Sequence, residues 1–207
     1  MRKTSIFIAL IAATFIAGCG AGKFTVTRAD DSFSEDKSQF YTSTNNRISS
    51  KSIAGGMHID DKGVFVNPFV KKTASDTGVI LLGFNIENRF STDSSSGSVN
   101  GLGTIKSLVF KFEGGSLITL DVSGQQGKAD DVIRYNSVAG YAYQDRSEYG
   151  VALIEPDAFM KIAQASAISI KITGSQQSMI YEAKDIAPEF IHNIKSFYDK
   201  YVITQPL

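Results

Sequence analysis

The sequence predicts an α+β fold, with an antiparallel sheet, curved or in two layers, covered on an apolar face by two helices near the C-terminus. Three observations carry this. Residues 24–154 hold short segments of alternating apolar and polar side chains between polar, glycine-containing turns, the pattern of consecutive antiparallel strands. The pattern changes at Glu155-Pro156, after which apolar residues recur at helical spacing. Near the end, Phe190, Ile191, Ile194, Phe197, Tyr198 and Tyr201 form a stripe wide enough to bury one helix face. A β-sandwich with peripheral helices is the alternative that the same pattern allows.

In chain order, Phe24 and Val26 share one face of a first strand, with Thr25 and Thr27 on the other. Residues 30–52 are polar and read as loops with one short strand around 39–42. Gly55-Gly56 introduces Met57-His58-Ile59, and Asp61-Lys62-Gly63 reads as a turn before the apolar stretch 64–70. Pro68 within that stretch offers no backbone donor, which predicts an edge strand or a bulge. Residues 79–86 are apolar at nearly every position, as expected of a central strand covered on both faces. The serine-rich segment 91–98 reads as a surface loop.

Leu108, Phe110 and Phe112 alternate with Ser107, Val109 and Lys111, and Glu113-Gly114-Gly115-Ser116 supplies the glycines of a tight hairpin into 117–122. A polar loop is then expected at 123–131, followed by strands around Tyr141 and Tyr143 and at 149–154, with Arg146-Ser147-Glu148 between them. Pro156 suits the first helical position and Asp157 the positive end of the dipole, so Phe159, Ile162, Ala163 and Ser166 predict a helix over 156–165. Ile168, Ile170 and Ile172 mark another strand, and 179–183 a further, half-apolar one. The final helix starts near Pro188, with Asp185 and Glu189 at one end and Lys195 and Lys200 at the other.

The chain has 207 residues with 21 basic and 21 acidic side chains and no basic block, so nucleic-acid binding has no support. His58 and Asp60 share a strand face, but two ligands do not make a zinc site, and His192 lies far along the chain. Ser34-Glu35-Asp36-Lys37 has Ser-x-x-Lys spacing without a companion signature. Gly101-Leu102-Gly103 lacks phosphate-loop spacing, and the acidic pairs Asp30-Asp31, Glu35-Asp36 and Asp130-Asp131 lack the alternating ligands of a calcium loop. No metal or other cofactor is expected.

The first residues carry a different message. Met1-Arg2-Lys3 is a cationic head, residues 6–16 are apolar apart from Thr14, and Ile16-Ala17-Gly18-Cys19 closes the segment. The stretch 6–18 is shorter than the roughly 20 residues that a membrane span needs. Ile16-Ala17-Gly18-Cys19 resembles the lipobox of bacterial lipoproteins and uses the only cysteine in the chain. The resemblance implies a signal peptide over 1–18, acyl chains on Cys19, a short tether over 19–23 and one soluble domain over 24–207. It also implies a place in the bacterial cell envelope, with the lipid bilayer as a partner. Gly20 stands where a retention signal usually carries Asp, which in a Gram-negative cell points to the outer membrane, facing the periplasm.

Tyr135, Tyr141, Tyr143 and Tyr149 crowd one interval, and amphipathic aromatics are common at recognition surfaces. The expected partner-binding surface is Tyr141 and Tyr143 rimmed by Arg146 and Glu148, facing an envelope protein or a glycan. The functional expectation is a membrane-anchored envelope lipoprotein that binds or scaffolds without catalysis. The alternative is a periplasmic hydrolase whose carboxylates the fold brings together.

Overall fold

The computed structural model describes residues 22–30, 38–49, 62–73, 78–93, 101–138 and 140–203. Among them nine strands form one open sheet: β1 (Thr25–Asp30), β2 (Gln39–Thr44), β3 (Gly63–Lys72), β4 (Val79–Asp93), β5 (Ile105–Phe112), β6 (Leu117–Asn136), β7 (Tyr141–Leu153), β8 (Ile168–Gly174) and β9 (Ser178–Tyr181). Their order across the sheet is β1-β2-β3-β4-β7-β6-β5-β8-β9, and each pairing is antiparallel. Helices α1 (Pro156–Ala163) and α2 (Pro188–Phe197) cover one face, and a π turn over Tyr198–Val202 continues α2. The fold is α+β, an antiparallel sheet with two helices near the C-terminus.

Period-two alternation selects the covered face. Leu82, Phe84 and Ile86 of β4, Leu108 and Phe110 of β5, Ala152 of β7, and Ile170 and Ile172 of β8 are all buried there. Against them α1 lays Phe159 and Ile162, and α2 lays Phe190, Ile194 and Phe197. Phe159 stacks on Phe84 with ring centroids 5.1 Å apart, and Phe84 lies 5.6 Å from Phe110. At the far side Tyr41 of β2 meets Tyr201 of the π turn at 5.0 Å, so the helices touch several strands at once. Full burial of each such side chain stabilises by roughly 1.5–3 kcal/mol, which makes packing the main source of cohesion.

Two glycine features shape the sheet. Gly114 and Gly115, with φ of 89° and 84°, form the β5–β6 turn, where side chains with a Cβ fit poorly. Gly124 of β6 lies so close to Ile105 that a Cβ there would overlap its carbonyl oxygen. Through this approach the start of β5 folds in over β6 and β7.

The structure corrects several local expectations. Residues 123–131 are not a loop: β6 continues to Asn136 and pairs with β7, with register shifts between Gln125 and Lys128 and between Ala129 and Ile133. Polar composition does not end a strand whose backbone groups a neighbour satisfies. Likewise β7 runs unbroken through Arg146-Ser147-Glu148. The early part of β4 is central in strand order but not covered on both faces, since Ile80 and Leu81 are exposed. Pro68 lies inside the sheet, at an interruption of its pairing. The β2 ladder ends at Thr42 opposite Phe69, Ser43 Oγ donates to the Pro68 carbonyl, and pairing resumes where the Val66 N–H donates to the Asn46 carbonyl. Asn45, at φ 61°, turns the chain between the two stretches. His58, Asp60, residues 31–37 and 94–100, and Cys19 with the segment before it lie outside the described residues.

Candidate functional site

The residues expected to form one surface all fall on β7, where alternation divides them. Tyr143 belongs to the set Tyr143, Asp145, Ser147 and Tyr149, on the face away from the helices. Arg146 and Glu148 belong to the opposite set, in register with Phe90 and Asn88. Tyr143 is half-buried and Arg146 exposed; the side chain of Tyr141 is not among those described, and its backbone pairs with Asn136. A four-residue surface of these side chains is therefore not formed.

Glu148 is a correction to the expected rim, because it is only 5 % exposed. Its carboxylate accepts hydrogen bonds from Asn88 Nδ2 at 2.8 Å and from the backbone N–H groups of Leu102 and Gly103 at 2.8 and 2.7 Å. The same loop is tied from the other side, where Gln177 Nε2 donates to the Gly101 carbonyl and the Gln176 N–H to the Leu102 carbonyl. Glu148 thus clamps the loop before β5 between β7 and the β8–β9 turn. A strand polarity pattern places Glu148 inward, but no local signal links it to a loop 45 or 46 positions away.

On the other face Asp145 is the centre of a polar network. Lys62 Nζ lies 2.7 Å from it, Ser91 Oγ donates to it at 2.6 Å, and Arg134 approaches at 3.7 Å. Burial opposes its charge, yet the hydrogen bonds from Lys62 and Ser91 and the charges of Lys62 and Arg134 outweigh that and hold its pKa below the ordinary value. Asp145 and Glu148 therefore sit on opposite faces, each engaged with structural partners. Among the described residues no three His, Cys, Asp or Glu side chains gather at a metal-binding distance. His192 is exposed on α2.

A different place has the shape of a binding site. β7 ends at Leu153, and the chain turns up into α1, while its neighbours β4 and β6 both extend past that point. The β4–β7 register starts at Gly83 and the β6–β7 register at Val122. Residues 79–81 of β4 are consequently paired only on the β3 side, and residues 117–121 of β6 only on the β5 side. Two open strand edges face each other across the place that a longer β7 would fill. Two strand spacings make that gap about 10 Å wide.

The gap is the floor of a groove of about 580 Å³, lined by residues 79–82, 118–120 and 153–156 and by Ala158. Thr119 and Glu155 are its only polar side chains, and Glu155 its only ionisable one. Ile80, Leu81, Leu117 and Leu153 stand exposed in and around it. The sequence reading missed this site because the apolar run at 79–86 looks the same whether its start is covered or open.

Comparison with protein-family models, with curated proteins and with solved structures yields no match for this chain. Among the described residues no helix is long and apolar enough to cross a membrane.

Proposed function

We propose that the protein is a membrane-anchored envelope lipoprotein with a noncatalytic binding role, and that its ligand is an extended apolar segment of a partner protein. The observation that carries the binding role is the groove at the end of β7, where open edges of β4 and β6 face each other between apolar walls. An entering strand gains main-chain hydrogen bonds from both edges and places alternate side chains in the groove, the mode known as β-augmentation. Unpaired edges are otherwise a liability that folded proteins cover or blunt. The anchor rests on Ile16-Ala17-Gly18-Cys19 and the apolar run before it.

A photoreactive amino acid at Leu153, activated in native membranes, tests the binding role. The expected result is one discrete protein adduct whose crosslinked peptide is extended and apolar, lost when Leu81→Asp is added. Adducts to lipid alone, no adduct, or an adduct indifferent to Leu81→Asp would count against it. The anchor has its own test in the intact mass of membrane-extracted protein, which should start at Cys19 and carry acyl chains. A species retaining residues 1–18 with a free thiol would refute it.

A further inference from the structure

Beyond the end of β3, β6 and β7 continue as an arm, two-stranded only in its last residues. The last residue pair of the β3–β4 ladder in this direction is Gly63 with Arg89, and Arg89 is opposite Ser147. From Ser147 to Tyr141 the arm runs about 20 Å further, with the turn beyond. β4 accompanies it as far as Asp93, opposite Tyr143.

The end of the arm has an unusual surface. Ile133 is 70 % exposed, Tyr135 69 % and Val138 97 %. Ile133 and Tyr135 are two apart on β6 and share a face, and Val138 crowns the turn. From 132 to 144 the sequence is Val-Ile-Arg-Tyr-Asn-Ser-Val-Ala-Gly-Tyr-Ala-Tyr-Gln, with no acid and one basic residue. Tyrosine among aliphatic residues is the composition favoured at the boundary between headgroups and acyl chains.

Topology points the arm toward the side from which the N-terminal chain enters the sheet. Four successive antiparallel pairings separate β1 from β7, so the two strands run in the same sense, with Thr27 in one row with Thr42, Phe69, Gly83 and Leu153. The tether therefore enters at Thr25, about level with Val151, while the arm's turn lies beyond Tyr141, about 33 Å away along the strand direction. From Cys19 to Thr25 the chain can reach about 20 Å at most, less than the arm's projection past the row of Thr25, so a bilayer holding Cys19 lies within the arm's sweep.

We propose that the turn of the β6–β7 arm dips into the surface of the bilayer that carries the anchor, a second membrane contact that fixes how the domain stands. The inference rests on the anchored reading of Cys19. It gives the tether a partner, since a short leash alone leaves the domain free to tumble.

The chain contains no tryptophan, so a single introduced one reports without background. Full-length protein carrying Val138→Trp is purified from membranes and reconstituted into phosphatidylethanolamine and phosphatidylglycerol vesicles, with and without bromine on the acyl chains. Ile180→Trp, at an exposed site on the edge strand β9, is the control. The indole of the Val138→Trp variant should be blue-shifted and lose at least half of its emission on brominated vesicles, while that of the Ile180→Trp variant keeps its own. Equal behaviour of the two overturns the proposal, and so does a blue shift without bromine quenching, which indicates a protein contact or a second copy. Flotation and intact mass report the anchor separately. Should Cys19 prove unmodified, the anchored reading fails, and the tip is then judged by whether added vesicles still quench the Val138→Trp indole.

Discussion

Three side chains show how much depends on what a polar group holds. Glu148 engages Asn88 Nδ2 and two backbone N–H groups, so Glu148→Ala leaves three donors in a buried place without their acceptor. At about 1–3 kcal/mol for each unsatisfied group, the substitution should cost on the order of 3 kcal/mol or more, read as a lower urea midpoint at unchanged slope. Glu148→Gln keeps one acceptor and should retain part of the stability. Asp145 makes a pH-dependent prediction. Its folded pKa is lowered, so its contribution is complete above the unfolded value of about 3.9 and fades as pH falls through the folded value. Asp145→Asn should therefore be less stable than the parent at neutral pH, with a gap that closes below about pH 4; a gap constant down to acid would show that the ion pairs contribute nothing. Tyr181 behaves in the opposite sense. Burial raises its pKa to about 12, while the charge of Arg47 pulls the other way. Unfolded tyrosine titrates near 10, so this contribution is whole below about pH 10 and is lost on the way to the folded value. In a phenolate absorbance titration one of the eight tyrosines should lag, and the lag should vanish in Tyr181→Phe.

At the level of elements, α1 is short and its grip comes from one ring. Phe159 touches Phe84, Phe197 and Tyr198, at 5.1, 6.4 and 6.0 Å between centroids, and so joins the sheet to both helical segments. Phe159→Ala should cost about 3–5 kcal/mol, measured by chemical denaturation, whereas Asp157→Ala at its exposed first turn should cost well under about 1 kcal/mol. Both helices were legible in the sequence because Pro156 and Pro188 mark their starts and the apolar spacing is regular. The β5–β6 hairpin was legible for a similar reason, with Gly114-Gly115 between alternating strands. The arm was not. Its polar stretch at 123–131 and the charged Arg146-Ser147-Glu148 both look like breaks, and only pairing with neighbours, of β6 with β7 and of β7 with β4 as well, makes them strand. Periodicity reports which face is buried, and a solvated arm has little burial to report.

Across the whole molecule the two proposed contacts lie at opposite ends of β7. The groove is at Leu153 and the arm's turn precedes Tyr141, about 40 Å apart along the extended strand. The sequence pointed to the aromatic interval but joined Tyr143 and Glu148 into one surface, because the side of a strand on which a charged residue is held depends on partners distant in sequence. The groove itself is a matter of where β7 stops relative to β4 and β6, a comparison between three strands that no local pattern contains. If the arm meets the bilayer, the groove opens away from it, where an extended segment of an envelope protein can reach. Sites so far apart with no shared partners should be energetically independent. The double variant Leu81→Asp, Leu153→Asp should then lose the partner adduct, with the photoreactive group moved to the exposed Ile80, yet float with vesicles and show full quenching of the indole introduced by Val138→Trp. Replacing Ile133 and Tyr135 by Ser should do the reverse, weakening the quenching of that indole while the adduct persists. Joint loss in either variant, with the fold intact by circular dichroism, would mean that one interface serves both contacts and that the domain does not stand between membrane and partner in this way.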